Sequence, residues 1–217
     1  QSGKDAIDGA LEDPPGEDVL FNPLLHDTDE GKSELLDVAA PKGAEVIDDG
    51  EFGATAWYLM LASRMEPKVA LRATDGLSGD GYVVYRDEKR VCVRASATGE
   101  AESDVEELRA ALADWSGRSP EGTASVEVAD GTVEFRSCDP GADAPAVGEV
   151  AVDLLALPVT RTQLYNQVLA SGGTDAQGRC FGQTLIDRFS FEQFTDEAFL
   201  SGPEGQGLIG EVQRSCL

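Results

Sequence analysis

Residues 158–217 read PVTRTQLYNQVLASGGTDAQGRCFGQTLIDRFSFEQFTDEAFLSGPEGQGLIGEVQRSCL, and one short pattern recurs in them four times. Thr160-Arg-Thr-Gln163, Thr174-Asp-Ala-Gln177, Ser190-Phe-Glu-Gln193 and Ser201-Gly-Pro-Glu204 each set a hydroxyl three residues ahead of a Gln or Glu. That spacing is a capping box. The hydroxyl accepts from the N–H three residues on, and the amide or carboxylate reaches back to the cap's own N–H. Between the boxes the apolar spacing is helical: Leu164 and Val168 lie four apart, as do Phe181 and Leu185, and Phe191 and Phe194 lie three apart. Gly172-Gly173 and Gly202-Pro203 punctuate the run where helices stop or restart. The stretch predicts four helices of roughly 10–14 residues. Helices that short are marginal alone. Cys180 and Cys216 stand where one bridge ties the second helix to the fourth, contributing roughly 3–4 kcal/mol by loop entropy.

Upstream, residues 44–155 change texture. Val46-Ile47, residues 52–61, Val69-Ala70-Leu71, residues 82–85 and residues 91–93 are short apolar runs of strand type. Residues 54–61, apolar on both parities and holding Trp57, predict a central strand buried on both faces. Arg86-Asp87-Glu88-Lys89 is a polar turn, Ala129-Asp130-Gly131 a hairpin signal, and residues 75–81 a flexible connection. One helix interrupts, with Ser103-Asp-Val-Glu106 as its capping box and Val105, Leu108, Leu112 and Trp115 along one face. Strands follow at 124–128, 132–135 and 150–154. The order predicts an α+β fold: an antiparallel sheet with one packed helix, followed by a small disulfide-pinned four-helix domain. Residues 1–43 form an acidic linker or arm, 44–155 the sheet domain and 156–217 the four-helix domain, with Leu157-Pro158 as the hinge.

Charge removes whole classes of partner. The formal net charge is −24 over 217 residues. Such a field repels phosphate backbones and anionic lipid, so no nucleic acid is expected as a partner. No run approaches the ~18 apolar residues of a transmembrane helix, so membrane contact is expected only through an anchor absent from this chain. An opening at Gln1 without an apolar leader is what a trimmed ectodomain would show.

Catalytic motifs are missing. The single histidine, His26, lies in the acidic arm, which argues against Ser-His-Asp, Cys-His and histidine-metal chemistry. His26-Asp27-Thr28-Asp29-Glu30-Gly31 begins like a calcium loop, but Gly31 takes the third ligand position and Val38 stands where the bidentate Glu belongs. Gly205-Gln-Gly207-Leu-Ile-Gly210 matches a dinucleotide fingerprint in letters only, since no strand precedes it and seven residues follow. Gly207 and Gly210 there suit close helix packing. Asp48-Asp49-Glu51 reads as solvated acidic surface. No catalytic residue, cofactor or metal is expected.

Four cysteines, no CxxC and one histidine point instead to two disulfides and an oxidising compartment. Four cysteines pair in three ways, and Cys92–Cys138 with Cys180–Cys216 keeps each bridge inside one proposed domain. With Ala156-Leu157-Pro158, Arg179-Cys180, Phe189-Ser190, Cys216 and Cys138-Asp139-Pro140-Gly141 in view, the chain resembles uncharacterised exported or membrane-anchored proteins of high-GC actinobacteria. The resemblance implies an extracytoplasmic address and no reaction. Two functions follow as expectations: a non-catalytic ectodomain that binds a protein or small-molecule ligand or has a cell-envelope structural role, or a secreted carboxylate-based hydrolase acting on a sugar or cell-wall substrate. A concave pocket gathering two acids favours the enzyme, and an exposed apolar patch favours binding.

Overall fold

The computed structural model describes residues 34–142 and 152–217, together with Lys4 and Ala144. The first part contains β1 (Glu34–Leu35), β2 (Glu45–Gly50), α1 (Ala54–Ala62), α2 (Pro67–Thr74), β3 (Leu77–Asp87), β4 (Arg90–Gly99), α3 (Glu102–Gly117), β5 (Ala124–Ala129) and β6 (Thr132–Cys138). A 3₁₀ turn, Val152–Leu155, then leads into α4 (Ala156–Ala170), α5 (Asp175–Arg188), α6 (Phe191–Thr195), α7 (Glu197–Ser201) and α8 (Pro203–Cys216). The chain is α+β.

Two tight turns set the sheet. Asp130 (φ 50°) and Gly131 (φ 78°) form a two-residue loop of left-handed residues between β5 and β6, the geometry that suits strand twist. Glu88 (φ 55°) turns β3 into β4. Strand order is β1-β3-β4-β6-β5, and β2 also pairs with β3. The sheet is mixed rather than wholly antiparallel, because β1 runs parallel to β3 at Gly79 and Asp80. Along the same edge β2 takes over, antiparallel, from Tyr82 to Arg86.

One face of the sheet carries Ala95, Ala97, Val133 and Phe135 into the main core, against Trp57, Leu61, Leu71, Leu108, Leu112 and Trp115. Helices α1, α2 and α3 pack there, joined by Leu157 of α4 and Ile186 of α5, where the sequence predicts one helix. Residues 54–61 and Val69–Leu71 are helices α1 and α2, not strands. The cause is physical: a run apolar on both parities is equally an all-round buried helix, and Trp57, Tyr58 and Leu61 are fully buried. Pro67 opens α2 at the position proline favours. Residues 77–81, expected to be part of a connection, extend β3 instead. Val152–Leu155 is a 3₁₀ turn, not a strand, and residues 150 and 151 lie outside the described residues. The cap of α3 falls at Ala101, whose N–H donates to Asp104 Oδ2 (2.9 Å), two residues ahead of the expected Ser103.

Two of the four predicted helical boxes form. Thr174 and Ser190 accept from Gln177 and Gln193 N–H at 3.3 and 3.2 Å, and both glutamines return a bond at 2.9 Å. Thr160 lies inside α4, and Gly202 rather than Ser201 precedes α8. Asp196 restarts the chain by accepting from Ala198 and Phe199 N–H, so the expected third helix is two single turns, α6 and α7. In α8 the glycine packed tightly is Gly205, where a Cβ would strike the Phe199 carbonyl, whereas Gly207 faces open space. Leu157 and Pro158 are no hinge. They form the first turn of α4, and Leu157 and Ile186 belong to the same buried cluster as Trp57 and Leu112. Arg161, 8% exposed, adds a bidentate ion pair to Asp75 (2.6 Å to each oxygen).

Both disulfides are present. Cys92–Cys138 joins directly opposed residues of β4 and β6, and Cys180–Cys216 joins α5 to α8. They are compatible with an oxidising location. Among the described residues no helix is long and apolar enough to cross a membrane.

Candidate functional site

After β1 the chain crosses the second face of the sheet. Leu36 N–H donates to the Asp80 carbonyl (2.9 Å), and the Leu36 carbonyl then passes so close to Gly81 that a Cβ there would clash. Gly81 makes the crossing possible. Val38, Ala40 and Ala44 then cover Val83, Tyr85 and the Cys92–Cys138 bridge. A turn at Pro41 and Gly43 (φ 86°) sends the chain back as β2.

Between this crossing and β2 lies an open groove of about 490 Å³. A bulge in β2 shapes it. Val46 pairs with Tyr85, while Asp49, three residues on, pairs with Val83 because Ile47 is the extra residue. An unbroken strand would put Val46 and Asp49 on opposite faces; the bulge brings both to one face. Leu35, Val38 and Val46 give the groove aliphatic surface over the buried Val83, and Asp37 and Asp49 also line it. Leu35 is 62% and Val46 51% exposed. Both aspartates are exposed. Neighbouring acids are engaged, Asp48 by the Tyr82 hydroxyl (2.8 Å) and Glu45 by Arg86 (3.2 Å).

A second carboxylate stands apart from the groove chemistry. Asp80 is 2% exposed, and its Oδ2 accepts from Gly53 N–H (2.9 Å) and Trp57 Nε1–H (2.7 Å). Oδ1 has no partner among the described residues. Burial, with a smaller push from the Glu51 charge, moves its pKa up against the pull of the N–H groups that face it. Gly53 caps α1 without a side chain, and Asp80 accepts from the adjacent strand the cap residue's own N–H, the bond that a Glu or Gln three residues on makes in a capping box. Its acceptor oxygen serves the fold.

The structure scatters the residues singled out in the sequence. Asp49 enters the groove, Asp48 is held by Tyr82, and Glu51 is exposed on the segment before α1. His26 and the calcium-like segment up to residue 33 lie outside the described residues. Among the described residues no group of three or more His, Cys, Asp or Glu is arranged to hold a metal ion. Asp80 carried no sequence signal, because the glycines on either side of it interrupt the strand pattern of residues 82–85.

Fold and site together define a two-disulfide α+β protein with an acidic, apolar-floored groove beside a sheet edge. No protein-family model, no curated protein and no solved structure matches the chain.

Proposed function

We propose that the chain is a non-catalytic binding module of an exported protein, secreted or anchored on the outer face of the cytoplasmic membrane, and that the groove beside β2 is its ligand surface. The observation that carries this reading is the half-exposed aliphatic surface of Leu35 and Val46 in a concave setting of ligand-pocket size. Two disulfides and no membrane-spanning helix among the described residues are consistent with that location.

The rival reading, a secreted carboxylate hydrolase, has one observation in its favour: Asp37 and Asp49 line the same groove. Both are exposed, without the apolar enclosure that divides a carboxyl pair into acid and base. The carboxylate with raised proton affinity, Asp80, is committed to Gly53 and Trp57.

The test runs a fragment panel against methyl-labelled protein by NMR, alongside chromogenic glycosides and peptidoglycan fragments. Expected are shifts concentrated at Leu35, Val38, Val46 and Val83, with no turnover. Turnover abolished by Asp37→Asn or Asp49→Asn would replace this reading with the hydrolase. A panel that moves none of these methyls would remove the groove as a ligand surface.

A further inference from the structure

The groove offers two chemistries at once. Val83, Val38, Val46 and Leu35 are aliphatic, while Asp37 and Asp49 are carboxylates. Among the described residues neither aspartate accepts a hydrogen bond or joins an ion pair, although Asp48 and Glu45 nearby are both engaged. A small hydrated cation makes no use of the aliphatic surface. A neutral apolar chain leaves the carboxylates unmatched, and a net charge of −24 repels anions. A chain of methylenes ending in a cation uses both surfaces.

Resting on the binding reading above, we propose that the groove receives a lysine or arginine side chain from an extended basic segment of a partner protein. The stem lies on Leu35 and Val46, the exposed aliphatic residues of the groove, and the cation is held by Asp37 and Asp49. A polypeptide is favoured over a free amine because β2 is bonded to β3 alone among the described strands. Its outer edge can therefore take an extended main chain alongside the groove. The volume, about 490 Å³, leaves room for residues flanking the inserted side chain. The overall negative field raises the encounter rate with a basic partner and makes it fall with salt.

The experiment uses the full chain, methyl-labelled, with the pentapeptide Ac-Gly-Val-Lys-Val-Gly-NH2. Its controls are the norleucine and glutamate versions and spermidine. The lysine peptide is expected to shift the Val46, Val83 and Leu35 methyls with a dissociation constant of roughly 1 mM, as suits a single anchoring side chain. Asp37→Asn and Asp49→Asn should each weaken it about two- to fivefold, the range for one exposed ion pair. Both should leave norleucine binding unchanged and the circular dichroism spectrum native. Equal binding of the norleucine and lysine peptides would overturn the cation site while leaving a binding groove in place. Equal binding of spermidine would overturn the protein partner. Shifts spread over the acidic surface and absent from the groove methyls would overturn the proposal as general ion pairing. Silence of the groove toward every ligand would overturn it together with the binding reading.

Discussion

Asp80 permits a quantitative test of how α1 is held. Replacing it by alanine leaves the Gly53 N–H and the Trp57 indole N–H buried without an acceptor. Each orphaned buried donor costs about 1–3 kcal/mol, so Asp80→Ala should lose about 2–6 kcal/mol. Asp80→Asn keeps a carbonyl oxygen for both donors and removes a desolvated charge, so it should stay within about 1 kcal/mol of the parent at pH 7. The pH dependence has a definite sign. Burial raises the folded-state pKa of Asp80 above its unfolded value, near 3.9 in model peptides. Between those two values the native state holds the extra proton. The proton-linked part of the contribution of Asp80 to stability is therefore fully present below about pH 4 and is lost as pH rises through the folded pKa, while its acceptor role toward Gly53 and Trp57 remains. Urea unfolding followed by far-ultraviolet circular dichroism, from pH 4 to 7, should show the parent losing stability relative to Asp80→Asn as pH rises. Taking the difference cancels the titration of the other acids. A parallel pair of curves, or an Asp80→Ala variant as stable as the parent, would refute the assignment.

Removing the helical bridge with Cys180→Ser and Cys216→Ser together should cost about 2–5 kcal/mol. Since Leu157 and Ile186 share the core of Trp57, calorimetry should show one transition, and two separated transitions would contradict a shared core. Mild reduction should open Cys180–Cys216, half-buried, before Cys92–Cys138, whose residues are 1% and 4% exposed; alkylation and peptide mapping give the order, and the reverse order would be decisive against it. Arg161→Ala should cost about 3 kcal/mol by stranding Asp75, with Arg161→Met plus Asp75→Leu recovering most of the loss in denaturant melts; an additive double variant would refute coupling of the pair.

What the sequence discloses is what local chemistry decides. The Thr174 and Ser190 boxes and the Asp130-Gly131 hairpin each act within a few residues, and each appears in the structure; the even cysteine count is read from composition, and both bridges it implies are present. The strand reading of 54–61 fails because burial on every side erases the period that separates helix from strand. Thr160 and Ser201 have the box letters without the box, because α4 begins upstream of one and Pro203 imposes a later start on the other. The groove is the least legible feature. It depends on a one-residue bulge opposite Tyr85 and Val84, and on Gly81 admitting a carbonyl from a segment some 45 positions earlier in the chain. Neither leaves a periodic trace.

The bridge between opposed residues of β4 and β6 has a mechanical consequence. Cys92 and Cys138 are 46 positions apart, and the chain between them carries α3, β5 and most of the β4–β6 ladder. A load applied through the two ends of the protein passes across the sulfurs and bypasses that whole loop. About 160 Å of contour, at roughly 3.4 Å per residue, is withheld from extension, and the strands inside the loop cannot be peeled apart by tension while the bond is intact. The second bridge withholds the 36-position span from α5 to the end of α8 in the same way. Under force the protein behaves as a short tether with two covalently closed loops, and only a reductant releases the slack.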